Sequence, residues 1–408
     1  MEMQQLADCL SNLVIFQDLC GDPLIQSLAA LFTHRPGEGN SAYGALCRVA
    51  RALYPHGVDL TERLATLACE DENLLIRKIA AKENVERCLS EQAKMELNVL
   101  AEASSYTSAQ LCGIFGVTLP APSWTAEKRD FCALYRESAR AAGQKGYGIF
   151  ARYHVFSVSE TGTLVPVKNP DPQKLSELYG YEAERRDILL NTKALLAGRP
   201  ANNVLLYGDA GTGKSSTVKA IANTFAPDGL RLIQVEKSLL HHIPALLDSL
   251  AENPLKFILF IDDLSFASCD RDFTALKTVL EGSVAARAKN TVVYATSNRR
   301  HLLRETFAER RGDELHLNDT MQETTSLSAR FGLTVTFEKP GKDDYLALVK
   351  RLAAQYGLKE EESALCRGAE SFALLGGGRS PRIAKQFVEY RLTLQTAGAP
   401  GAQPGSPA

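Results

Sequence analysis

The run Gly208-Asp209-Ala210-Gly211-Thr212-Gly213-Lys214-Ser215 satisfies G-x-x-x-x-G-K-[ST] at every fixed position. Small residues let such a loop wrap tightly, so that its backbone N–H groups point inward at phosphate oxygens. The helix expected to start there adds a positive partial charge of about half a unit. In that setting Lys214 would bridge the β- and γ-phosphates of a nucleotide, and the Ser215 hydroxyl would ligate magnesium. The phosphate-binding set therefore runs from Gly208 through Ser216. A second group closes the apolar run Phe257-Ile258-Leu259-Phe260-Ile261-Asp262-Asp263. A buried strand ending in a carboxylate delivers Asp262 to the magnesium at the carboxyl edge of an open α/β sheet. Asp263 is placed to orient or deprotonate an attacking water. Tyr294-Ala295-Thr296-Ser297-Asn298 closes another strand with polar residues, and Asn298 either holds the water or the γ-phosphate or caps the strand end.

These residues need a sheet to carry them, and the pattern from about residue 171 supplies one. Short apolar runs rich in β-branched and aromatic residues fall at Val204–Tyr207, Leu230–Val235, Phe257–Ile261, Thr291–Ala295 and Leu333–Phe337. Helical stretches alternate with them, the signature of a parallel sheet with crossovers, so a five-stranded α/β core over 171–340 is expected. Residues 341–395 return to helix, with Tyr345, Leu348, Val349 and Leu352 on one face. The stretch 396–408 is Gly, Pro, Ala and Ser with little to bury, and disorder is expected there. Before the core, residues 1–125 read as a mainly α-helical domain, from spacings such as Leu24, Leu28, Leu31 and Leu64, Leu67. Loop signals break it at His34–Asn40 and Tyr54–Gly57. The connector 126–170 holds a charged helix from Lys128 to Gly143 and a β-rich stretch, Gly148 to Val167, with a hairpin turn at Glu160-Thr161-Gly162.

Bulk properties exclude several classes. The chain has 408 residues, 45% hydrophobic and 23% charged, enough for two or three globular domains. A net charge of −2 gives no global pull toward nucleic acid or anionic lipid. No apolar run approaches the roughly 20 residues that span a bilayer, and the start lacks the basic region of a secretion signal. Nine scattered cysteines without a CxxC pair fit reduced thiols. A cytoplasmic protein with no membrane contact is the expectation.

Taken together, the phosphate loop, Asp262-Asp263, Asn298, Arg330 before the last strand and a helical tail bearing Arg382 resemble the AAA+ ATPases over about residues 175 to 395. Leu178-Tyr179-Gly180-Tyr181-Glu182, Asn202-Asn203-Val204, Asp262-Asp263-Leu264-Ser265-Phe266 and Ser326-Leu327-Ser328-Ala329-Arg330-Phe331-Gly332-Leu333 are similar to a bacterial AAA+ family known only as a domain of unknown function. The resemblance implies ATP and Mg2+ as ligands, hydrolysis to ADP and phosphate, and self-association into a ring or dimer. It implies Asn298 as sensor on the fourth strand, Arg330 as an arginine finger acting on a neighbouring subunit, and Arg382 as a second sensor in cis. Tyr179 and Tyr181 would line the adenine pocket. Most active relatives carry Glu after the magnesium Asp, and this chain has Asp263. A misplacement of about an ångström can cost roughly 100-fold, so hydrolysis is expected to be slow and binding unaffected.

The expected role is an ATPase that remodels or assembles a macromolecular client chosen by the amino-terminal region. An alternative is a nucleic-acid-loading ATPase resembling replication initiators or helicase loaders. It draws on Arg299, Arg300, Arg304, Arg310 and Arg311, although interleaved Glu305, Glu309, Asp313 and Glu314 favour a salt-bridged face or interface. A small-molecule kinase would need neither a lid arginine nor a finger. His241-His242 as neighbours on a helix would not share a face, and Cys269 reads as an inert thiol.

Overall fold

The computed structural model describes residues 2–264, 266–267, 276, 280, 289–298, 303–304 and 330–397. They fall into two compact units. One holds residues up to His154 with Pro227–Gly229 and Glu252–Leu255, and the other holds the rest.

In the first unit the leucine periodicity is realised as stacked helices, among them Pro23–Phe32, Tyr43–Leu53, Leu60–Glu70, Leu74–Ala81, Arg87–Ser104 and Phe131–Arg140. Leu24, Leu28, Leu31, Leu64 and Leu67 are all buried in one core. Helix starts follow short polar caps, because a side-chain oxygen satisfies an otherwise orphaned N–H. Asp22 accepts from the Leu24 N–H at 2.8 Å, Asp59 from Glu62 at 2.9 Å and Asn73 from Ile76 at 2.9 Å. Glu96, 2% exposed, works on a larger scale. Its carboxylate accepts from the N–H groups of Val14, Ile15 and Phe16, pinning that loop to helix Arg87–Ser104. The loop signals hold short 3-10 turns at Gly39–Ala42 and Tyr54–His56. Trp124, Phe131, Tyr135 and Tyr147 belong to this core, and Ile149–Arg152 is a helical turn where β structure was expected.

The second unit is built on one sheet, with β1 Val155–Val158, β2 Leu164–Pro166, β3 Val204–Gly208, β4 Leu230–Gln234, β5 Lys256–Ile261, β7 Thr291–Ser297 and β9 Leu333–Phe337. A separate two-stranded piece pairs β6 Phe266–Ala267 with β8 Leu303–Arg304. The main sheet runs β2-β1-β4-β5-β7-β3-β9. All five expected strands are present and mutually parallel, but the sheet has seven. The difference is the hairpin. It turns at Gly162, whose φ is 79°, and β1 pairs parallel with β4 while β2 lies outside it. An open strand edge needs a partner or a cover, and β1 covers β4. Strands buried on both faces explain the unbroken apolar runs, since every residue of β7 is buried. His241 and His242 sit in the 3-10 turn Lys237–His242 with ring centroids 4.0 Å apart, so these neighbours do share a side, and His242 lies under the hairpin turn.

After β9, helices Lys342–Gln355, Glu362–Leu375 and Pro381–Ala397 form a bundle with its own core of Tyr345, Val349, Ala369, Phe387 and Val388. The last helix runs two residues into the stretch expected to be disordered, and 398–408 lies outside the described residues. A mainly parallel sheet is thus followed in the chain by a three-helix bundle. Among the described residues no helix is long and apolar enough to cross a membrane.

Candidate nucleotide site

Register brings the polar strand ends together. Tyr207 on β3 pairs with Ser297 on β7, and Ile261 on β5 pairs with Ala295. The residues just beyond, Gly208, Asn298 and Asp262, therefore emerge on one edge of the sheet. The loop itself is possible only with glycine where it is closest to β9. A Cβ on Gly208, at φ 135°, would sit 2.1 Å from the Phe337 carbonyl oxygen. Asp209 then anchors the loop from behind, its N–H donating to that carbonyl at 3.0 Å and its carboxylate accepting from the Lys339 N–H at 3.1 Å.

Gly213 caps helix Lys214–Phe225 from a left-handed conformation, and the Lys214 side chain folds back into the loop. Its ammonium donates to the carbonyls of Gly208 at 2.9 Å and Asp209 at 2.7 Å and to Asn298 Oδ1 at 3.0 Å. Burial holds the Lys214 pKa below the usual lysine value, opposed by the charges of Asp209, Asp263 and Asp262. The other amide end of Asn298 donates from Nδ2 to Asp263 Oδ1 at 2.8 Å. Ser215 Oγ donates to Asp262 Oδ1 at 2.6 Å. Thr296, 2% exposed, donates to the same oxygen at 2.6 Å and accepts from the Asp263 N–H at 2.9 Å. Asp263 holds φ 53°, a left-handed conformation that Asp tolerates better than most residues.

These groups face a cleft of about 610 Å³, whose lining includes Ala210 to Ser216, Asp262, Asp263, Asn298, Tyr179 and Arg382. Arg382 reaches it because its N–H donates to the Gly211 carbonyl at 3.2 Å, at the start of the last lid helix. Gly208 and Asp209 support the cleft without lining it. Tyr181 lines an adjoining cleft, its hydroxyl donating to the Glu338 carbonyl and its ring 5.1 Å from Phe337. Tyr179 lines both, with the Arg351 guanidinium 5.8 Å from its ring centroid. Arg330, half-buried just before β9, is not among the lining residues. The sequence reading missed Thr296, Arg185 and Lys385 as lining residues. Lys385 was findable, standing three residues after Arg382 on one helix, whereas nothing local marks Arg185.

The donor set suits the ligands expected. Ser215 and Asp262 place two hard oxygens side by side, as a magnesium ion that keeps most of its waters requires. The glycine-rich loop and Lys214 stand together at the start of helix Lys214–Phe225, a combination of the kind that takes phosphate. Of the clustered arginines, 299, 300, 310 and 311 lie outside the described residues, as do His301, Glu305, Glu309, Asp313, Glu314, Cys269 and 326–329; Arg304 is described only as part of β8.

Among solved structures, the chain is similar to the Holliday junction branch migration motor RuvB of Thermotoga maritima, 20% identical over 56% of this chain and 67% of that one, with a TM-score of 0.38. A RuvB mutant from the same organism gives 19% identity over 56% and 67%, with a TM-score of 0.40. The FIGL-1 AAA domain in complex with ADP gives 20% identity over 56% and 76%, with a TM-score of 0.38. No curated protein matches the chain. The family model described as "Protein of unknown function (DUF815)" matches residues 151–394, more than half of the sequence and all of the elements that build the cleft, and the chain belongs to that family.

Proposed function

We propose that this protein binds Mg-ATP in the cleft above the phosphate loop and hydrolyses it to ADP and phosphate, using the cycle to remodel or assemble a macromolecular client. The observation that carries the reading is the chain of contacts Lys214–Asn298–Asp263 beside Ser215–Asp262. It gathers an ammonium, a hydroxyl–carboxylate pair and a second carboxylate on one sheet edge, which supports the reading. Lys214 would leave its carbonyl partners for the β- and γ-phosphates. Ser215 and Asp262 would hold magnesium, which supplies neutralising charge to the phosphate oxygens. Asp263 would orient the attacking water and take its proton, with Asn298 fixing the carboxylate. Arg382 would contact the nucleotide from the lid in the same chain, Tyr179 would meet the adenine, and Tyr181 would brace that wall from the adjoining cleft.

Arg330, absent from the lining of its own cleft, fits a finger offered to a neighbouring subunit in a ring or dimer. The amino-terminal helical residues would supply client contact. The test is direct. Calorimetry with Mg-ATP should show binding that Lys214→Ala abolishes while the melting curve keeps a single folded transition. Unchanged ATP binding in that variant would sink the reading.

A further inference from the structure

In the helical unit, helices Leu74–Ala81, Arg87–Ser104 and Phe131–Arg140 line a cleft of about 480 Å³. That is the size of a pocket that takes a ligand or several side chains. Its floor is apolar, with Leu75, Leu97 and Tyr135 buried and Ile79 partly so. The only charged residues among its lining are cations: Lys94, Arg136 and Arg140, all exposed. Of the acids near its rim, Glu86 pairs with Lys78 at 2.8 Å, Glu91 pairs with Arg87 at 2.6 Å, and Asp130 accepts from the Ala133 N–H at 3.0 Å. Among the described residues none of the three cations makes an ion pair.

Their placement discriminates between occupants. Arg136 and Arg140 stand four residues apart on one wall, and Lys94 stands on the facing helix. Exposed cations on two walls above an apolar floor complement carboxylates carried on the flanks of a partner helix. An apolar floor between such walls receives the inserted side chains of an amphipathic helix. We propose that this cleft binds an acidic amphipathic helical segment of the client protein, apolar residues over Leu97 and Tyr135 and carboxylates against Lys94, Arg136 and Arg140. The proposal rests on the reading of the protein as a client-directed ATPase.

The probe is a fluorescein-labelled helical peptide of about 16 residues, some 24 Å long, with leucine at three- and four-residue spacing and glutamate elsewhere. A matched peptide carries lysine in place of glutamate. Anisotropy with the full chain should show binding of the glutamate peptide only, weakened by salt. Arg136→Glu with Arg140→Glu should weaken it about tenfold. Ser90→Trp, which fills the exposed rim, should weaken it as well, with ATP binding unchanged in both variants. Equal binding of both peptides or indifference to both variants would overturn the proposal. ATP titration of the same samples separates the two readings. No peptide binding by the unaltered chain, with its ATP binding intact, overturns this inference alone, and ATP binding absent from the unaltered chain overturns the ATPase reading alone.

Discussion

Asn298 donates from Nδ2 to Asp263 Oδ1 at 2.8 Å while its own Oδ1 accepts from Lys214 at 3.0 Å, so one amide couples the Lys214 ammonium to the Asp263 carboxylate. On the proposed function, a phosphate entering the loop would draw Lys214 away from Asn298 and leave that amide available to the γ-phosphate. Asn298→Ala should leave Mg-ATP affinity within about threefold and lower turnover about 100-fold, within the range for a lost acid–base or positioning group. Steady-state turnover beside calorimetric affinity checks the split. A large loss of affinity with normal turnover would make Asn298 a binding residue only.

Asp263 has a backbone reason to be Asp. At φ 53° the short polar side chain is tolerated, whereas Glu there carries strain of roughly 1 kcal/mol or more. Asp263→Asn should bind ATP normally and lose about 100-fold or more in turnover. Asp263→Glu should melt lower and turn over no faster than the parent. A rate above the parent's would show that side-chain length, as the sequence comparison suggested, limits hydrolysis.

Thr296 ties Asp262 Oδ1 to the Asp263 N–H through one hydroxyl. Thr296→Val keeps the shape and deletes both bonds, taking the acceptor from the part-buried Asp263 N–H at a cost of about 1 kcal/mol. The variant should melt lower and lose affinity for Mg-ATP more than for metal-free ATP, while Thr296→Ser should recover both. Equal loss with and without magnesium would detach Thr296 from the metal ligand.

Burial pushes the Asp71 carboxyl up to about 6 from 3.8, against a hydrogen bond from Asn73 and helped by the charges of Asp18, Glu72 and Glu96. The folded chain therefore holds this proton more tightly than the unfolded chain. On this account stability falls as pH rises from 3.8 to about 6, and the penalty persists above. Asp71→Asn should flatten that part of the profile and add up to about 3 kcal/mol at neutral pH. Urea melts across the pH range measure it, and identical profiles for parent and variant would refute it.

Arg330 can be separated from a structural arginine by mixing. Lys214→Ala keeps the finger and cannot bind nucleotide; Arg330→Ala binds nucleotide and lacks the finger, with a rate loss of roughly 10³-fold expected. Together they should form interfaces with one complete site and regain measurable ATPase activity. A co-assembled mixture as inactive as either variant alone would end the trans role.

By itself the sequence determined the elements that carry the candidate site. A glycine-rich run between an apolar strand and a helix has one strong physical reading, and the β-branched runs ending in Asp262 and Asn298 had to be strands buried on both faces. The spacing of Leu24, Leu28 and Leu31 likewise required helices with a common core. Those are local properties, written in period and residue type. What only the tertiary structure decided is long-range pairing. The hairpin turn at Gly162 was legible, but nothing local says that β1 lies against β4, which made a sheet of seven strands from an expected five. Glycine at 208 is explained by the Phe337 carbonyl, 129 residues away in the chain and 2.1 Å from where a Cβ would stand. Thr296 reads as one more polar strand-end residue until register sets its hydroxyl between Asp262 and Asp263, and the spacing of Arg185 from the loop is equally silent. Contacts between distant segments depend on strand register and lid packing, which residue periodicity does not encode.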